Sequence, residues 1–242
     1  MEKTKLMKVI EKHHLNKRIE PACWSITDNK LKIDFLSEYK DLIGFLTTNI
    51  QLEDAEFGIS STSQLLSLVG ITDDTLLISF KKHNNIPTKL SIEDNTFSLL
   101  YSLSDIMMIE RPKSVNLPPH STTTIDIQDD FVVKYLRAKK ALSESKEVSI
   151  CLGYNDQQEK VAWFTLGGEE QYTNKIKFST YCDFENNVYE DISFDGNTIR
   201  DILAVNKNAD SIKLTLWQEG LMRIETIEED IMVEYYLVPL QQ

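Results

Sequence analysis

Apolar residues recur along this chain with two periods, and the alternation between them sketches its elements. Over residues 3–15 the period is helical, with Leu6, Met7 and Ile10 roughly opposite Lys5, Lys8 and Lys12. The runs Ala22–Thr27 and Lys30–Leu36 flank Asp28-Asn29, a pair suited to a tight turn, and predict a hairpin. Residues 41–48 and 52–59 are apolar without a clear register, so strand assignment stays open across 18–58. Residues 60–70 read as a short helix, with Ser/Thr capping at its start and Gly70 near its end. Strand-like runs at 75–80, 88–92 and 96–103 follow, separated by turns at Asn84-Asn85 and Asp94-Asn95.

Residues 111–123 break the pattern. They hold three of the six prolines and no periodicity, which predicts a connector because proline cannot donate to a strand ladder. Val115 and Leu117 within it suit either a docking strip or a plain exposed linker. The pattern then restarts. Phe131, Tyr135, Ala138 and Leu142 form one stripe of a helix over 131–145, with Lys134, Arg137 and Lys140 on the other side. Strand-like runs occupy 148–152, 161–166, 175–181 and 188–194. A second helix, 197–208, places Ile199, Ile202 and Leu203 on one face and Arg200 and Lys207, a heptad apart, on another. Runs at 211–217, 221–227 and 231–238 then predict an antiparallel meander around a Gln-Glu-Gly turn. Both halves therefore read basic helix, strands, short helix, three strands, offset by about 130 residues. The expected organisation is α+β, with a domain over 1–110, a connector over 111–123 and a second domain over 124–242.

Charge changes the picture. The net charge of −12 argues against nucleic acid, but its distribution does not. Residues 1–18 and 131–146 each sum to +4, leaving the rest of the chain at −20. Local field and not net charge attracts a polyanion, so two basic helices on an acidic body are informative; two ordinary solvated helix faces are the bland alternative. No apolar run is long enough to predict a transmembrane helix, and the charged start offers no secretory signal. Cys23, Cys151 and Cys182, widely spaced and odd in number, suggest free thiols in a reducing compartment.

Catalytic signatures are missing. There is no phosphate-binding glycine loop, no HExxH and no GxSxG. His13, His14, His83 and His120 lack partners at ligand spacing, so no metal site, cofactor or catalytic residue is expected. Asp183, Glu185, Glu190, Asp191 and Asp195 form an acidic cluster, read as a solvated loop in preference to a cation site, and Glu228-Glu229-Asp230 reads as a polar turn.

The segment 199–205, the 214–224 hairpin with Gly220-Leu221, and the ending Tyr235-Tyr236-Leu237-Val238-Pro239 carry a resemblance. Together with the duplicated plan, they resemble the two-domain DNA polymerase sliding clamps of archaea, eukaryotes and T4-type phages. The resemblance implies a homotrimeric ring around double-stranded DNA, with helices lining the hole and sheets outside. It implies a non-enzymatic processivity factor that holds a DNA polymerase on its template, is loaded by a separate ATP-driven clamp loader, and acts in the cytoplasm, that of the bacterial host for a phage protein. Lys5, Lys8, Lys12, Lys134, Arg137, Lys140, Arg200 and Lys207 would face DNA, whereas the 62–69 helix carries no basic residue. Val115, Leu117, Tyr236, Val238 and Pro239 would line a pocket for partner peptides, and residues 175–181 would be an edge strand joining subunits. The competing expectation is a clamp-like structural subunit that binds protein without encircling DNA.

Overall fold

The two halves fold by one plan. The computed structural model describes residues 1–118, 123–167, 174–184 and 191–240. Unit 1 comprises Met1–Ser114 with Glu229–Val233, and unit 2 comprises Val115–Glu228 with Glu234–Gln242.

Unit 1 runs α1 (Lys3–His14), β1 (Ala22–Thr27), β2 (Lys30–Leu36), β3 (Leu42–Asn49), β4 (Ala55–Ile59), α2 (Thr62–Gly70), β5 (Leu77–His83), β6 (Ile86–Glu93) and β7 (Ser98–Ser102). Its strands are ordered β3-β2-β1-β4 and, separately, β5-β6-β7. Asp28 and Asn29 both have positive φ, 51° and 61°, the backbone a tight two-residue hairpin requires. Strand β3 alternates buried and half-exposed positions although its sequence, Leu-Ile-Gly-Phe-Leu, does not alternate in polarity. Gly44 explains part of this, because it lies opposite Phe35 in the ladder. The Phe35 ring occupies the space where a Cβ on Gly44 would stand.

Unit 2 runs β8 (Thr123–Ile127), α3 (Asp129–Ala141), β9 (Glu147–Tyr154), β10 (Lys160–Leu166), β11 (Ile176–Tyr181), β12 (Asp183–Phe184), β13 (Ile192–Asp195), α4 (Gly196–Val205), β14 (Ser211–Leu216), β15 (Met222–Glu228) and β16 (Ile231–Leu237). Its sheet order β11-β10-β9-β13 repeats β3-β2-β1-β4 strand for strand, and the β14-β15-β16 meander repeats β5-β6-β7. The meander is extended by β8, which pairs with β14, and by β12 beyond it. The opening residues of β16, Ile231–Val233, belong to unit 1, where β16 flanks β3. They are fixed by Asp230, whose carboxylate accepts from Lys5 Nζ at 2.8 Å, Thr48 Oγ1 at 3.0 Å and Asn49 N at 2.9 Å.

The helices bury one face each. Phe131 and Tyr135 of α3 reach Phe178 of β11, and Phe131 meets Phe164 of β10 edge-on at 4.7 Å between centroids. Ile199, Ile202 and Leu203 of α4 are buried as the periodicity predicts. Asp195 caps α4, accepting from Asn197 N at 2.8 Å and Thr198 Oγ1 at 2.9 Å. At the other end, buried Asn206 donates to Ile202 O at 2.8 Å and Tyr235 OH at 3.0 Å, and accepts from Thr226 Oγ1 at 3.0 Å. One side chain thus binds the helix terminus to two strands of the meander.

Several expectations are corrected. Within the region 18–58, the predicted β1–β2 hairpin is joined by two further strands, β3 and β4, which the pattern left open. Helix α3 stops at Ala141, and Leu142 is its C-cap instead of the last member of the stripe. Of the 188–194 run, residues 188–190 lie outside the described residues and β13 covers Ile192–Asp195. Lys12, expected beside Lys5 and Lys8 on a wet face, is buried. The reason is local: Leu15, Asn16 and Lys17 all take positive φ, reversing the chain, and the last turn of α1 is enclosed together with His13 and His14.

Removing the Asn206 bonds by Asn206→Leu should lower the stability of unit 2 by about 1–3 kcal/mol, as the buried hydroxyls of Tyr235 and Thr226 each lose a hydrogen bond. Urea unfolding monitored by circular dichroism reads this. A second expectation concerns acid. His13 is buried against Trp24 and Phe35, with Nδ1 at 2.8 Å from Val9 O. Burial lowers its pKa from 6.5 to about 4; the Val9 carbonyl opposes that shift and His14 adds to it. The unfolded chain therefore takes up this proton first, so the stability from neutral His13 is fully present above pH 6.5 and is lost as pH falls through about 4. His13→Phe should flatten the fall of melting stability across that window, by up to about 1.4 kcal/mol per pH unit.

Candidate nucleic-acid interface and partner pocket

Within each unit two helices pack side by side, α1 with α2 and α3 with α4. Their outward faces hold the basic residues, and pairing decides how much charge each offers. On α3, Arg137 and Lys140 are exposed with no ion pair among the described residues, while Lys134 is exposed and bonds Asp130 one turn earlier at 2.7 Å. That bond draws the Asp130 carboxyl below its usual pKa. Arg200 of α4 is half-exposed and tied to Asp201, Nη2 to Oδ1 at 2.8 Å. Lys207 is exposed but lies beyond Asn206, the C-cap of α4, so it projects from the turn after the helix. On α1, Lys5 is held by Asp230 at 2.8 Å and Lys8 by Glu229 at 3.2 Å.

Lys139 is a basic residue whose place the sequence did not reveal. It is buried and donates from Nζ to Ser145 O, bracing the loop after α3. Burial and then the nearby Arg200 guanidinium lower its pKa, opposed by Asp195 and Asp201. It supports the α3–α4 pair and does not contribute to the surface.

A second constellation forms on the other face of the meander, all of it within unit 2. Tyr235 points inward to Asn206, so strand alternation turns Tyr236 outward. There Tyr236 lies 7% exposed, while Val238 is 49% exposed. Pro239 packs on Gly220, whose φ of +90° suits glycine and where an added Cβ would meet Pro239 Cγ at 2.8 Å. The connector reaches the same place. Buried Trp217 donates from Nε1 to Pro118 O at 3.2 Å, which holds the segment carrying half-exposed Val115 and exposed Leu117. Of the five residues expected to line a pocket, Tyr236 and Pro239 are anchored in the meander, Val238 stands exposed beside them, and Val115 and Leu117 belong to the connector that Trp217 ties down. Trp217 and Arg223 were missed; their signal is the lone tryptophan closing β14 and an arginine on the outward side of β15.

The acidic cluster has structural employment. Asp183 bonds Lys160 at 2.8 Å and Asp195 caps α4, while Glu185 and Glu190 lie outside the described residues. Among the described residues no group of three or more His, Cys, Asp or Glu is arranged to hold a metal ion, and no helix is long and apolar enough to cross a membrane. His14 Nε2 meets Ser63 Oγ at 2.9 Å, and His120 lies outside the described residues.

The solved structure of proliferating cellular nuclear antigen from Entamoeba histolytica superposes over all of this chain and 97% of its own, with a TM-score of 0.74 at 18% identity. The chain has the sliding-clamp fold. No family model and no curated protein matches its sequence. At that identity the likeness concerns backbone architecture, and it agrees with the α+β plan of two similar clamp-type units.

Proposed function

We propose that the protein is a DNA sliding clamp, a homotrimeric ring that encircles duplex DNA and tethers a replicative DNA polymerase, with a separate clamp loader to open it. The observation that carries this reading is the basic outward face of α3, Lys134, Arg137 and Lys140, on a chain of net charge −12 that has the clamp fold. Many weak contacts from such side chains to phosphates retain a duplex without reading its sequence and let it slide, while the acidic remainder repels it elsewhere. Arg200 and Lys207 would add to this surface within unit 2, and Lys5 and Lys8 would offer charge from unit 1; Lys5, Lys8 and Arg200 would first exchange carboxylate partners for phosphate, and buried Lys12 is left out. No step of bond chemistry is assigned, and its place of work would be the cytoplasm, that of a bacterial host for a phage protein.

Strand edges support ring closure. In unit 1, β3 is flanked by the opening of β16, whereas its counterpart β11 ends its sheet among the described residues. Strand β7, the counterpart of β16, likewise ends its sheet among the described residues. A β7 edge from a second copy beside β11 would repeat the β16–β3 arrangement and remove two aggregation-prone edges. The outward side of the meander, with Tyr236, Val238 and Pro239 and the connector residues Val115 and Leu117, would receive the polymerase peptide.

A second reading, a clamp-like subunit that binds protein alone, draws on the carboxylates already paired with Lys5, Lys8, Lys134 and Arg200. Two measurements separate them. Light scattering on an eluting chromatographic peak should give three times the 27.9 kDa monomer mass; a monomer at high concentration removes the ring. Changing Lys134, Arg137 and Lys140 together to Glu should cut polymerase processivity in primer extension roughly tenfold or more at moderate salt while leaving that mass unaltered. Unaltered processivity would favour the protein-only reading.

A further inference from the structure

The outward side of the meander holds one charged side chain that an apolar peptide would leave unexplained. Arg223 projects from β15, where Thr215 of β14 is its ladder partner. Its guanidinium lies over the Trp217 ring, 5.9 Å from the centroid. Nη1 reaches Glu234 Oε1 only at 3.5 Å, a long contact for an ion pair, and the two side chains are 25% and 30% exposed. Its Nε is buried with no hydrogen-bond partner among the described residues. The hydroxyl of Tyr236 lies in the same group: burial raises its pKa first, the Glu234 carboxylate adds to that, and Arg223 opposes it.

A buried guanidinium N–H without an acceptor is costly unless something else supplies one. Stacking on Trp217 orients the planar fork, and such a fork matches a carboxylate through two parallel bonds where Glu234 offers a single long one. We infer that Arg223 is the specificity residue of the partner surface, and that the peptide bound there presents a carboxylate next to its apolar anchors. This rests on the partner-surface reading above and adds the chemistry of the partner. The carboxylate has two sources, an Asp or Glu side chain or the free C-terminus of the partner chain, and both would displace Glu234 as the nearer acceptor. Charge complementarity is the argument: the aromatic cluster supplies contact area, and Arg223 supplies a cationic group stacked on it.

The test uses the full chain and a synthetic decapeptide with two aromatic anchors. It is prepared with Asp or Asn beside the anchors and, for each, with a C-terminal carboxylate or amide, and titrated by calorimetry. The parent protein should bind one acidic form at least about tenfold more tightly than its neutral counterpart, and which pair shows the difference identifies the source. In Arg223→Gln the difference between acidic and neutral peptides should vanish, and Arg223→Lys should keep part of it; melting curves of both variants confirm folding. Equal binding of acidic and neutral peptides by the parent overturns the role of Arg223 while leaving the surface as a peptide site. A parent that binds none of the four peptides overturns the partner-surface reading, and this inference with it.

Discussion

Asn206 is the joint on which the second unit depends. It closes α4, and its amide is divided between the helix terminus, Tyr235 of β16 and Thr226 of β15. A buried amide that leaves any of these unsatisfied loses more than a neutral hydrogen bond supplies, so the arrangement tolerates little slippage. Two consequences follow from its position. The helix that carries Arg200 is set against the meander, and the register of β16 is set at Tyr235. Because side chains alternate along a strand, fixing Tyr235 inward determines that Glu234, Tyr236 and Val238 face away from the helices. A polar contact in the core thereby places the aromatic surface on the opposite side.

The first unit has a polar joint of a different kind, at another place in its plan. Asp230 gathers Lys5, Thr48 and Asn49 at the turn before β16. Burial of the carboxyl works against its charged form, but these donors outweigh it and the pKa is lowered. The same contact places a cationic side chain of α1 in an ion pair. Charge counted along a helix therefore overstates the charge a helix offers: of the four α1 lysines, Lys5 and Lys8 meet carboxylates, Lys3 donates to the Gly70 and Thr72 carbonyls, and Lys12 is buried. On α3 the balance differs, because Arg137 and Lys140 stand exposed and only Lys134 has a carboxylate within its own helix.

The duplicated plan makes these differences legible. Strand order β3-β2-β1-β4 is repeated as β11-β10-β9-β13, so the units share a scaffold and differ in what decorates it. Gly44 beneath Phe35 in one unit and the Phe131–Phe164–Phe178 cluster in the other fill the same layer between helix and sheet by different means. Cores accept such exchanges when volume is conserved, which is compatible with 18% identity to a structure of the same fold.

Local periodicity was enough to determine many of the elements. The β1–β2 hairpin, the α4 face of Ile199, Ile202 and Leu203, and the final meander follow from spacing and turn residues, because each depends on neighbours a few positions away. The repetition of one plan in the two halves was readable for the same reason. Strand β3 was not, since an apolar run without alternation shows its faces only when Phe35 covers Gly44 from the next strand. Nor could spacing distinguish Lys12 from Lys5, or Lys139 from Lys140: burial and ion pairing depend on residues brought close by the fold, such as Ser145 and Asp230. The association of Trp217, Arg223 and Tyr236 is of that second kind, a contact made across strands and set by the register that Asn206 holds.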